Sequence, residues 1–260
     1  LDLCLYLMDN FEPSTVSAKH PESMTADEYR RAIARLLHAA GPAAEVKTCV
    51  VTSPSRGDGR TAVACNLAIT LAQAGRRVLL VDVDWHAPSV EQCFGLSPGP
   101  GLGDILSGQP VTHDPSRSTG LDSLFVLGPG RREGVVGRLA SREMRDFIAG
   151  AGEVFDHVII DTPAILLMAD AKLLAPMTDG VVVAVGAGMS TFGMLRRCLT
   201  ILGQTGATVF GVVLNGVRQA PGGYLRRNLD LYYAGAGSTK TQAFRRGNTQ
   251  KNQPPAAPTG

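Results

Sequence analysis

An α/β fold built on a doubly wound, mostly parallel sheet is the class this sequence predicts, and three observations predict it. Short runs rich in Val, Ile and Leu recur at 46–52, 78–82, 123–127, 158–161, 181–185 and 209–215. Stretches with helical spacing separate most of them, at 60–74, 141–149, 168–176 and 191–202. Several of the short runs are almost wholly apolar rather than alternating, the pattern of strands with helices on both faces. Alternation of this kind builds a parallel sheet, whose ligands bind at the carboxyl ends of the strands.

The elements can be justified in order. Residues 1–8 are apolar but far shorter than the roughly 18 residues a membrane-spanning helix needs, and they lack the basic start of a signal peptide. The chain opens on Leu1 rather than Met, so a fragment is expected, with room upstream for a membrane segment. Residues 9–24 are polar, contain proline and read as a linker. Thr25 and Glu28 fit a capping box that opens a helix carrying Ile33, Leu36 and Leu37, which Gly41-Pro42 stops. Gly75 closes the helix at 60–74. From Gln219 the pattern collapses into Gly, Asn, Gln and Pro, which reads as a flexible tail.

Composition sets bounds. With 260 residues, 44% hydrophobic and 18% charged, the chain can bury one substantial core. Five cysteines, odd in number and never spaced C-x-x-C, read as free thiols in a reducing compartment, with Cys49 and Cys65 buried. His20, His38, His113 and His157 are isolated and show no metal spacing. From residue 216 onward seven Lys/Arg stand against one acid, which leaves a net −4 on the rest of a chain whose total is +2. A basic tail on an acidic body suits an anionic lipid surface or the domain's own acidic site.

The chemistry concentrates after the first strand of the alternation. There the chain reads Ser53-Pro54-Ser55-Arg56-Gly57-Asp58-Gly59-Arg60-Thr61 and enters a helix at once. A strand, a glycine-containing loop and a helix N-terminus form a phosphate cradle, because inward-turned N–H groups and the helix dipole both favour an anion. Gly57 and Gly59 let the backbone approach phosphate closely, and Thr61 offers a hydroxyl to Mg²⁺. The candidate nucleotide-binding residues are Gly57, Asp58, Gly59, Arg60, Thr61 and Ala62. Pro54 stands where a Walker A loop has its first glycine, and Arg60 stands where it has lysine.

Acidic residues complete the pattern. Asp82 and Asp84 lie one pleat apart at one strand end, and Asp161 ends another. Neighbouring parallel strands end together, so these acids are expected near Thr61, where Thr61, Asp82 and Asp161 would hold Mg²⁺. Asp82 or Asp84 would orient or deprotonate a nucleophile. Trp85 is expected to pack beside them.

These segments resemble a known family, the bacterial BY-type tyrosine kinases of capsule and exopolysaccharide export. Residues 52–61 followed by Asn66-Leu67-Ala68 resemble their Walker A segment, 78–88 their Walker A′ and 158–163 their Walker B. Residues 101–108, Ala169-Asp170-Ala171 and 211–217 match as well, so the resemblance covers about 26–235. It implies a P-loop NTPase fold of the MinD/ParA-like, deviant Walker A kind, with ATP and Mg²⁺ as cofactors. It also implies autophosphorylation in trans on a C-terminal tyrosine cluster, here Tyr224, Tyr232 and Tyr233. By the same analogy Asn215 contacts the adenine. A membrane polysaccharide co-polymerase domain, separate or upstream in the same chain, would be the partner of a homo-oligomer at the cytoplasmic face of the plasma membrane. Nucleic acid is not expected as a partner.

The organisation expected is a linker and helix over 1–44, a nucleotide-binding domain over 45–217 and a basic tail over 218–260. Arg60, His86 in place of an Arg, an incomplete Glu-x-x-Arg-x-x-Arg helix and Arg131-Arg132-Glu133-Gly134 in place of a Pro-Asn-Pro loop depart from the family. These departures leave open a second reading, a nucleotide-binding regulator that transfers no phosphate. A third, a positioning ATPase of the ParA/MinD type, is disfavoured because Ser55 occupies the place of that group's signature lysine.

Overall fold

A computed structural model of the protein describes residues 4–6, 15–38, 46–108 and 115–217. The expected tail and its three tyrosines lie outside these residues. The chain divides into two units, Leu1–Val217 and Arg218–Gly260, and the description concerns the first.

The described strands form one sheet: β1 (Cys4–Tyr6), β2 (Thr48–Thr52), β3 (Val78–Asp82), β4 (Arg117–Ser118), β5 (Leu124–Leu127), β6 (His157–Asp161), β7 (Gly180–Gly186) and β8 (Val209–Asn215). Their order is β1-β8-β7-β2-β6-β3-β5-β4, parallel throughout except for the β4–β5 pair at one edge. Helices α1 (Val16–Lys19), α2 (Met24–His38) and α3 (Arg60–Gln73) contribute to one core, and α5 (Leu102–Leu106), α6 (Arg142–Val154), α7 (Asp170–Leu174) and α8 (Phe192–Gln204) to the other. A short helix α4 (Val90–Cys93) follows the end of β3.

Strand periodicity separates the two cores. Cys49 and Val51 of β2 pack with Leu67, Leu71 and Tyr29, whereas Val50 packs with Ile148, Leu174 and Leu202. With both faces covered, β2, β3, β6 and β7 are buried along their whole lengths. This is why their sequences read as unbroken apolar runs.

Several boundaries differ from expectation for local reasons. The first core strand begins at Thr48 rather than at 46, because the Asp179 carboxylate accepts the Lys47 and Thr48 N–H groups. Helix α6 runs past 149 to Val154, since Ile148 and Ala151 bury against the sheet and outweigh the cost of Gly150 and Gly152. The capping box expected at Thr25 and Glu28 is displaced. Helix α2 starts at Met24, the Ala26 N–H donates to Ser23 Oγ at 3.2 Å, and Glu28 pairs with Arg31 instead.

The segment 9–24, read as a linker, is partly structured, since α1 lies within it and docks on α3. Ahead of it, residues 4–6 pair in parallel with β8. Asn66, buried in α3, accepts the Ser17 N–H at 2.8 Å, while Gln73 donates to the Ser17 carbonyl at 2.9 Å. Among the described residues, no helix is long and apolar enough to cross a membrane.

Candidate functional site

Sheet order creates the site. β6 lies between β2 and β3, with Val51 opposite Asp161 and Asp82 also opposite Asp161. The loop leaving β2 and the acidic ends of β3 and β6 therefore meet at one point on the carboxyl edge. The three elements that carry the candidate phosphate and magnesium residues converge there.

The loop over 53–59 is held from several sides. Ser53 accepts the Ile165 N–H at 2.9 Å through its carbonyl, and Thr52 Oγ1 donates to the Pro163 carbonyl at 3.0 Å. Gly57 and Gly59 have φ of +91° and +84°, a region that side chains rarely occupy. A Cβ on Gly59 would also overlap the side-chain amide of Asn215. Gly59 occupies the N-cap position of α3 and brings no side chain to cap it. The amides of Arg60, Thr61 and Ala62 thus open the helix with no side-chain acceptor at the cap.

Asp58 behaves differently from its neighbours. It is 1% exposed, and its carboxylate accepts the Ser55 N–H at 2.8 Å, the Gly186 N–H at 3.0 Å and the Ser190 hydroxyl at 2.8 Å. Its side chain stitches the loop to the end of β7. Asn215, at the end of β8, donates its side-chain N–H to the Asp58 carbonyl at 3.3 Å and lies behind the loop.

The three strand-end acids differ in what they already hold. Asp82 accepts the Asp84 N–H at 2.9 Å, the Ser89 N–H at 3.0 Å and the Val90 N–H at 3.1 Å, which fixes the turn into α4. Asp84 accepts the His86 and Ala87 N–H groups, and its other oxygen takes a hydrogen bond from the Arg60 guanidinium. Asp161 accepts the Thr61 hydroxyl at 2.7 Å through Oδ2, while its Oδ1 is buried with no hydrogen-bond partner. Arg60 Nε is likewise buried and unpartnered, 3.9 Å from that same oxygen.

Burial pushes the Asp161 carboxyl above the usual carboxylate range. Asp82 and Asp84 add to the rise, and Arg60 and Thr61 oppose it. Burial likewise raises Asp82, against the pull of its three backbone donors. A buried donor and a buried acceptor that make no hydrogen bond, 3.9 Å apart, fit a site for a polyanion and a cation. Thr61 and Asp161 are the oxygens suited to Mg²⁺. Among the described residues no group of three His, Cys, Asp or Glu side chains forms a metal cluster. A P-loop magnesium does not require one, since phosphates and water supply most of its ligands.

Sequence reasoning missed four contributors. Ser190 and Gly186 anchor the loop through Asp58, and Ser89 lies 3.5 Å from the Thr61 hydroxyl through its own. Met189 packs behind Gly57 and Gly186. Ser89 was traceable as the residue following Pro88 and opening α4; nothing in the sequence marked Met189. Trp85, expected beside the acids, is buried in the core that holds Leu102 and Leu139 and donates its indole N–H to the Pro129 carbonyl at 2.9 Å.

Fold and loop together define a P-loop nucleotide-binding domain of the α/β class. The family model described as "ParA: NUBPL iron-transfer P-loop NTPase" matches residues 45–223. The tyrosine-protein kinase CpsD of Streptococcus pneumoniae serotype 4 is 30% identical over 192 residues, covering 73% of this chain and 84% of that protein. The tyrosine-protein kinase YwqD of Bacillus subtilis is 28% identical over 204 residues, 78% of this chain and 86% of its own length. Among solved structures, the chimerical protein CapA2B2 superimposes with a TM-score of 0.77 at 28% identity, covering 83% of this chain and 94% of that one. The chain belongs to the ParA-type P-loop NTPases and, within them, to the bacterial tyrosine-protein kinases.

Proposed function

We propose that this protein is an ATP-dependent tyrosine autokinase that transfers the γ-phosphate in trans to Tyr224, Tyr232 and Tyr233 of a second copy. One observation carries the reading: a P-loop threonine bonded to a strand-end aspartate that keeps one buried oxygen unpartnered, with an arginine beside it. Gly57, Gly59 and the first amides of α3 bind phosphate, Thr61 and Asp161 hold Mg²⁺, and Asp82 supports the turn that carries Asp84. Bound magnesium would neutralise charge on the phosphates, and the chain's own residues do the positioning. Asp84 is the acid set to orient the incoming tyrosine hydroxyl once Arg60 turns toward phosphate.

Regulation of capsule or exopolysaccharide export through a membrane-bound co-polymerase, at the cytoplasmic face, is the setting that family membership supports. The contact between Arg60 and Asp84 favours a second reading, a nucleotide-binding regulator without transfer, because it pairs the phosphate-binding group with the group that would meet the hydroxyl.

Incubating the purified chain with Mg²⁺-ATP and mapping phosphotyrosine separates the two. Phosphate on the tail tyrosines, abolished by Asp161→Asn and by Asp82→Asn, supports the kinase. Nucleotide uptake without phosphotyrosine supports the regulator. Calorimetry that detects no adenine nucleotide binding in magnesium sinks both.

A further inference from the structure

Two cysteines beneath the nucleotide site form a pair that the proposed chemistry does not use. Cys65 lies one turn along α3 from Thr61, and Cys93 lies four residues after Ser89, which opens α4. Positions four apart share one helix face, so the two helices meet in successive rungs. The first rung is the 3.5 Å contact between the Ser89 and Thr61 hydroxyls, and in the second, one turn further along each helix, Cys93 packs against the core that contains Cys65. Cys65 is fully buried, whereas Cys93 is only partly so.

We propose that Cys65 and Cys93 are a reversible thiol–disulfide pair that fastens α4 to α3. Peroxide reaches Cys93, the less buried of the two, first. The Cys93 thiolate attacks one peroxide oxygen and becomes a sulfenic acid, releasing hydroxide that leaves as water. The Cys65 sulfur then attacks the Cys93 sulfur, its proton leaves with the departing hydroxyl as a second water, and the S–S bond closes. Two thiols and one hydrogen peroxide give one disulfide and two waters, with two electrons passing from sulfur to peroxide. Cys65 is fully buried and Cys93 is not, so peroxide meets Cys93 and Cys65 is left to resolve the sulfenic acid.

The consequence is mechanical. Helix α4 presents the Val90 N–H, and its N-cap the Ser89 N–H, to Asp82, while α3 carries Thr61. A covalent bond one turn below fixes these two sides of the site against each other. In a reducing compartment such a bond is transient and acts as a sensor.

The test uses the full chain, reduced and then treated with hydrogen peroxide, followed by digestion without reductant and mass spectrometry. The expected result is a peptide joining Cys65 to Cys93 that dithiothreitol dissolves and that Cys93→Ser abolishes. The oxidised protein should also unfold at a higher urea concentration than the reduced one, a difference absent from Cys93→Ser. Cys93 found only as thiol, as sulfinic acid or joined to another cysteine overturns the pairing. An unchanged or lowered urea midpoint in the linked form overturns the fastening. Both readouts are independent of nucleotide binding and of phosphotransfer.

Discussion

Replacing Asp58 separates two roles that a carboxylate in a phosphate loop can have. If it faces nucleotide, its loss weakens binding and leaves the fold alone. The structure assigns it the opposite role, since its oxygens are spent on Ser55, Gly186 and Ser190. Asp58→Ala leaves two backbone N–H groups without acceptors, each costing about 1–3 kcal/mol, while the Ser190 hydroxyl can turn elsewhere. Loss of about 2–6 kcal/mol follows, a large part of the stability of an ordinary domain. Asp58→Asn should cost less. Its oxygen can keep the Gly186 N–H, its amide can donate to a reversed Ser190 hydroxyl, and only the Ser55 N–H then faces a donor. One orphaned donor costs about 1–3 kcal/mol. Urea unfolding of the two variants, followed by the fluorescence of the single Trp85, measures both numbers. Asp58→Ala within about 1 kcal/mol of the parent, with nucleotide binding lost, would refute this reasoning and return Asp58 to the nucleotide.

Three further outcomes are expected. Gly59→Ala forces a side chain into a left-handed φ and onto Asn215, which costs about 1–3 kcal/mol of stability and lowers nucleotide affinity, read by calorimetry. Arg60→Lys cannot span Asp84 and Asp161 as the forked guanidinium does, so it should release Asp84 and raise the yield of phosphotyrosine; an unchanged or lower yield argues against the arginine as a handicap. Thr191→Ala removes the N-cap of α8, whose hydroxyl accepts the Met194 N–H at 3.3 Å; it should cost about 1 kcal/mol in a thermal melt and leave nucleotide affinity unchanged.

Much of the sheet was legible because burial on both faces leaves an unbroken apolar signature. The runs at 78–82 and 209–215 form strands with those same bounds. Strand ends were less legible where a distant side chain sets them, as Asp179 does for β2. The parallel pairing of residues 4–6 with β8 left no local mark, because three apolar residues specify no partner. In the site, the meeting of the β2 loop with Asp82 and Asp161 followed from parallel topology alone. The division of labour among the acids did not follow. Asp58 and Asp82 carry the same functional group as Asp161, and only the backbone donors around each decide which oxygen stays open.

That division bears on the substitution at position 60. A lysine would bring one point charge to the loop, whereas Arg60 reaches two acids at once, bonding Asp84 through one nitrogen and approaching Asp161 with another. Three amides occupy both oxygens of Asp82, whereas the amides on Asp84 occupy one oxygen only and Asp161 keeps one without a hydrogen bond. The acids that still call for a cation are therefore Asp84 and Asp161. A phosphate that draws the whole guanidinium to itself takes it from Asp84. Breaking a buried pair from one side costs several kcal/mol unless another positive charge arrives to replace it. The oxygen on Asp161 that lacks a partner is where that replacement fits. Arg60 therefore ties the entry of phosphate to the entry of a cation more tightly than a lysine would, and binding of nucleotide without magnesium should be correspondingly weak.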